Sequence, residues 1–135
     1  MNSFKDVNIL VSRLLLSILF IVAGYGKLHG YEATAGYMEA MHVPSLLLPL
    51  VILLELGGGL AIAFGFLTRF TAVSIGIFSI VAALIFHADF SDQTNQLMLM
   101  KDFGLAGGFF LLASIGAGRF SIDRLIKNKR NKDVV

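Results

Sequence analysis

The chain has no cysteine and little charge: 0 Cys in 135 residues, and only 15% Asp, Glu, Lys and Arg. Without thiols there are no disulfides, no thiolate metal ligands and no dithiol chemistry of the chain's own. Any electrons handled here must ride on a bound molecule or a partner. Soluble domains carry roughly 25% charged residues. The scarcity of charge, with 56% hydrophobic residues and a mean hydropathy of +0.80, therefore excludes an ordinary soluble fold. Motifs are missing as well. There is no Walker sequence, no GxGxxG and no nucleophile elbow, and no two of His29, His42 and His87 stand at HxxxH spacing, so the signal for haem or metal is weak. No internal repeat rises above the general hydrophobicity.

What the chain has instead is long apolar runs. A membrane helix needs roughly 20 mostly apolar residues, and four stretches qualify, at about residues 8–28, 45–67, 70–88 and 97–116. Short connections make consecutive helices antiparallel. With four spans both termini share a side, and that side holds nine of the 11 basic residues, leaving only Lys27 and Lys101 opposite. Basic loops stay in the cytoplasm, so both termini are expected there. A signal peptide cleaved near Ala33-Thr34-Ala35 is the alternative for the first span, disfavoured by its length and by Arg13 within it. In "YEATAGYMEAMHVP", Glu32, Gly36 and Glu39 share one helical face and Tyr31, Ala35 and Met38 another. This reads as a short interfacial helix ending near Pro44, with an irregular loop as the alternative. The expected fold is all-α: an antiparallel four-transmembrane-helix bundle over residues 1–126, followed by a basic cytoplasmic tail over 127–135 that meets lipid headgroups rather than nucleic acid.

Glu55 lies near the middle of the second span. A charge at that depth costs roughly 2.5–3.5 kcal/mol on insertion scales, so it needs a partner, a proton or water. Gly58 and Gly59 share its face, and Gly104 and Gly108 form a GxxxG pattern in the fourth span. Close packing of the second and fourth helices along these glycines is the expectation. Depth narrows the partners. Lys27, His87 and Lys101 lie in the outer half, each within roughly 6–10 Å of Glu55 along the axis, whereas Arg13 is on the far side. Arg13, Ser17, Phe20, Gly24 and Lys27 form one stripe that should face the bundle. Each polar residue also has a plainer reading. Lys27, His87 and Lys101 can snorkel to water, Asp102 and Arg119 can be helix-end charges, and Glu55 can simply fix helix register.

The segments "GYGKLHGY", "YMEAMHVP" and "LELGGGLAIAFGFLTR", His87 closing the third span, and "KDFGLAGGFFLLASIGAGRFSID" resemble the DoxX family of small bacterial inner-membrane proteins. The resemblance covers about residues 7–126, and the run from Glu55 to Arg69 is its most specific part. One departure is Gly116-Ala117-Gly118, where many members have Gly-Pro-Gly; it weakens the expected sharp stop of the last helix. The resemblance implies a four-helix membrane bundle. The family takes its name from a subunit associated with thiosulfate:quinone oxidoreductase, and other members are linked to quinone or electrophile detoxification and to membrane redox complexes. Its motif carries over to Lys27, Glu55 and Arg69, and with less support to His87 and Lys101.

Two functions remain open on the sequence. In the first the chain is a subunit or accessory of a quinone-linked membrane redox system. Glu55 and His87 are then the candidate catalytic residues that handle protons, and Lys27, Glu55 and Lys101 bind the ligand. No redox centre is visible, so whether the chain is itself an enzyme stays open. No cofactor is evident, and a quinone is the one this reading would take. In the second, the bundle binds or moves a small lipophilic molecule, or scaffolds a partner, with no electron flow. Gly58, Gly59, Arg69, Gly104 and Gly108 are assigned structural roles in both. The expected partners are the lipid bilayer and a redox protein or quinone; a second copy of the chain is left open, and nucleic acid is not expected.

Overall fold

A computed structural model describes residues 3–87, 89 and 91–134, and every regular element among them is helical. Four helices are long and apolar enough to cross a membrane: Ser3–His29, Ser45–Phe64, Thr68–Phe86 and Gln93–Ile115. Two shorter helices complete the chain, Tyr31–Ala40 between the first and second spans and Ile122–Val134 after the fourth. Ala88, where the sequence reading ends the third span, lies outside the described residues, as do Met1, Asn2 and Val135.

The span ends follow local chemistry. The second span stops at Gly65, whose φ of 71° only glycine adopts without strain, and the Phe66 N–H reaches back 2.8 Å to the Ala61 carbonyl. Across the bundle, Asp123 caps the third span: its two carboxylate oxygens accept from the Leu67 and Thr68 N–H groups at 2.8 and 2.9 Å. Asp92 caps the fourth span by accepting from the Thr94 N–H at 2.9 Å. That span stops at Gly116, with φ 89°, so a glycine ends the helix with no proline after it. Ser121 Oγ accepts from the Arg124 N–H at 3.2 Å and starts the last helix. The last helix runs through the boundary read at 126/127, so the basic tail is helical up to Val134.

The spans pack in ring order, first against second, second against third, third against fourth, and fourth against first. Short connections put sequence neighbours side by side and leave the second and fourth spans on a diagonal. The expected glycine seam between those two is not formed. A Cβ at Gly58 would meet Ile75 of the third span at 3.0 Å, and one at Gly59 would meet Ile21 of the first at 2.8 Å. One at Gly108 would meet Leu16 of the first span at 3.2 Å, and Gly104 has nothing within 4 Å. Gly58, Gly59 and Gly108 are thus packing positions with other partners, and Gly104 is open.

The core runs through Ile9, Phe20, Ile62, Ala72, Ile75, Phe109 and Leu112, with the Phe20 and Phe109 rings edge to face at 5.3 Å. A smaller cluster of Met38, Leu48 and Ile52 seats the helix at Tyr31–Ala40, and Tyr37 stacks on Phe86 at 5.5 Å. Large apolar side chains face outward, Leu15 and Phe70 among them. In water such a surface would aggregate; in a bilayer it meets lipid.

Candidate functional site

The first and second spans cross with their backbones in contact. A Cβ at Gly24 would sit 2.8 Å from the Leu56 nitrogen and 3.1 Å from its Cα. Only hydrogen fits there. Around this crossing the second span widens into a π-helical turn over Leu53–Gly57, which carries Glu55. Such turns are rare and cluster at functional sites. One turn beyond Gly24, Lys27 reaches into the crossing. Its Nζ donates to Glu55 Oε2 at 2.9 Å and to Oε1 at 3.1 Å. The pair is asymmetric: the Glu55 side chain is 6% exposed and that of Lys27 is 30%. The carboxylate is buried, whereas the lysine side chain is partly exposed.

The other candidates go elsewhere. His87 lies against Asp102, Nε2 to Oδ2 at 3.8 Å, and its buried Nδ1 has no hydrogen-bond partner among the described residues. It makes no direct ion pair or hydrogen bond with Glu55. Asp102, read as an ordinary helix-end charge, is instead the histidine's neighbour, brought there by the packing of the third span on the fourth. Lys101 is exposed, on a helix that sits diagonally from the second span. Among the described residues no group of three or more His, Asp or Glu could hold a metal ion.

A second polar cluster, at the end carrying the termini, is structural. Arg13 is 1% exposed. Its guanidinium donates to the carbonyls of Ile62, Ala63, Ala117 and Phe120 at 3.0, 2.8, 2.8 and 2.7 Å. Two of these lie in the last turn of the second span, where carbonyls run short of intrahelical donors. Arg69 treats the fourth span alike, donating to Ala113, Ser114 and Ile115 at 3.1, 2.8 and 3.3 Å. The sequence reading placed Arg13 on the buried stripe but gave it no acceptors, and it missed Asp123 as a cap. The available signal was a five-donor side chain in an apolar stripe near two helix ends.

Four apolar helices with a lysine–glutamate pair between two of them define a small polytopic membrane protein with an intramembrane ionisable site. The DoxX family profile matches residues 8–88, and the chain belongs to the DoxX family. It is 55% identical over 129 residues to the inner membrane protein YqjF of Escherichia coli (strain K12), covering 96% of this chain and 99% of the relative. It is 31% identical over 128 residues to the inner membrane protein YphA of the same organism, covering 89% and 91%. Over 85 residues it is 29% identical to CatD of Bacillus subtilis (strain 168), whose name assigns it a provisional oxidoreductase role, covering 63% of each. No solved structure matches the chain significantly. It is an integral protein of the bacterial inner membrane, with its apolar helices in contact with lipid.

Proposed function

We propose that the chain is an accessory or subunit of a quinone-linked redox system of the inner membrane, with both termini in the cytoplasm. The observation that carries this reading is the asymmetry of the Lys27–Glu55 pair. An ammonium has three donors, and two carboxylate contacts leave Lys27 one for a ligand that approaches its exposed side. A quinone carbonyl is an acceptor of that kind on an apolar ring. When bound, a quinone supplies the electron-accepting chemistry that the cysteine-free chain does not. Lys27 would hold and polarise the carbonyl, and Glu55 would hold a proton beside it. His87, Lys101 and a partner protein as electron donor are secondary elements of this reading. The family resemblance and the oxidoreductase name of the CatD relative point the same way. The orientation rests on the nine-to-two division of the 11 basic residues.

The test is to purify the protein in mild detergent and identify co-purifying molecules by visible spectrum and mass spectrometry. Quinone should accompany the wild type above the level in an unrelated four-span control, and Lys27→Met and Glu55→Gln should each lower it about tenfold, the loss of one charge-assisted contact. A colourless preparation with quinone no higher than the control would assign the chain to the non-enzymatic reading, a binder of some other lipophilic molecule or a scaffold.

A further inference from the structure

The end of the bundle that carries the termini holds a cavity of about 520 Å³, within the size range of small-molecule sites. It is open on one side, and three parts of the chain border it: the start of the first span, the turn between the second and third, and the turn after the fourth. Lys5, Arg69, Arg119, Arg124 and Lys127 line it, against the two carboxylates of Asp6 and Asp123. The lining is therefore strongly positive. Arg69 and Asp123 are committed to backbone groups. No hydrogen bond or ion pair engages the side chains of Lys5, Arg119, Arg124 or Lys127 among the described residues, which leaves four cations for a ligand.

Two buried groups make this more than a basic surface. Asp6 is 3% exposed and Thr68 1% exposed. Both line the cavity, and Asp6 Oδ2 and Thr68 Oγ1 have no hydrogen-bond partner among the described residues. An unpaired buried polar atom is destabilising, so each of the two would gain from a ligand group that reaches it. The cations call for an anionic phosphate. The Asp6 oxygen, a pure acceptor, calls for a hydrogen-bond donor on the same molecule.

We propose that this cavity binds a glycerophosphate group: a phosphate ester held by the four free cations, whose glycerol hydroxyls donate to Asp6 and meet Thr68. The group can arrive as the headgroup of phosphatidylglycerol, from the leaflet at this end, or as a soluble glycerol phosphate. Basic pockets between membrane helices are known headgroup sites in general. The specific element here is the acceptor buried among the cations, which a phosphate alone does not need.

Calorimetric titration of the detergent-solubilised full chain tests this, with short-chain phosphatidylglycerol, short-chain phosphatidylcholine and sn-glycerol 3-phosphate as probes. Phosphatidylglycerol should bind and phosphatidylcholine, which has no headgroup donor, should not. Arg119→Gln with Lys127→Gln, both at exposed positions, should weaken binding about 25-fold, fivefold for each cation. Asp6→Leu is the deciding variant. It makes the cavity more positive, so a merely electrostatic attraction would tighten, whereas the proposed site loses its acceptor and weakens. Binding of glycerol phosphate as tight as that of the lipid assigns the soluble source; binding of the lipid alone assigns the membrane. Equal binding of phosphatidylglycerol and phosphatidylcholine, no binding of either glycerophosphate probe, or tighter binding by Asp6→Leu would overturn the proposal.

Discussion

Replacing Arg13 with Met should be among the most damaging single changes in this chain. The side chain makes four hydrogen bonds to carbonyls at 2.7–3.0 Å from a position 1% exposed. A bond to a charged group contributes about 1.5–3 kcal/mol net, which gives a gross of about 6–12 kcal/mol for four. Burying the guanidinium costs several kcal/mol in return. The balance, about 3–5 kcal/mol, equals the usual cost of breaking a buried charged network. Methionine fills the volume but takes a donor from four carbonyls at the junction of the second span and the turn after the fourth. In a chain of this size that corresponds to a melting temperature lower by roughly 10–20 °C, read by thermal unfolding in detergent. Arg13→Lys should fall between, because one ammonium cannot reach four acceptors spread across two segments. A melting temperature for Arg13→Met within about 2 °C of wild type, where only noise separates variants, would refute the reasoning.

Gly59→Leu should lower folded yield sharply, since its Cβ would lie 2.8 Å from Ile21 Cγ1 and 3.1 Å from the Ile21 nitrogen, while Gly104→Leu should leave stability unchanged. Similar losses from both would restore the second-to-fourth seam. The Asp89 carboxyl is held below the usual carboxylate range, first by the Ser91 hydroxyl donating at 2.6 Å and then by the Ser91 N–H at 3.1 Å. Its folded value lies below its unfolded one, so this turn's stabilisation is complete above the ordinary carboxylate range and is lost as pH falls through the depressed value. An NMR titration of Asp89 should show the depression and Ser91→Ala should relieve it; an unchanged titration in the variant contradicts the assignment. For orientation, an impermeant thiol reagent applied to cells with a permeabilised outer membrane should label Gly36→Cys and not Lys132→Cys, and the reverse pattern would invert the topology.

Depth along the membrane was readable from the sequence, but azimuth was not. Four apolar runs and the division of basic residues mark the spans because the cost of charge in lipid is large and local. The stripe from Arg13 to Lys27 was visible because spacing of three and four keeps residues on one face. Depth alone gave Glu55 three neighbours in the outer half, and only packing sorts them: Lys27 lies on the adjacent first span, His87 turns toward Asp102, and Lys101 sits across the diagonal. The glycine patterns failed for the same reason. They announce close approach without naming the partner, so Gly59 meets the first span and Gly104 meets nothing. The π turn left no trace in the pattern, because the buried positions Leu48, Ile52, Glu55, Gly59 and Ile62 keep ordinary helical spacing through it.

The contacts of Arg13 also set an order of assembly. During synthesis its first acceptors, on Ile62 and Ala63, emerge 49 and 50 residues later, and the last two, on Ala117 and Phe120, only 104 and 107 residues later. Through most of that interval the first span carries a guanidinium whose buried donors are unfilled, which keeps the arginine drawn toward the headgroups at its end of the helix. Insertion of all four spans does not relieve this. The helices can be in place by Ile115, with the donors that belong to Ala117 and Phe120 still waiting. The bundle closes when the turn after the fourth span docks, so a nascent chain that stops short of that turn is inserted without being finished.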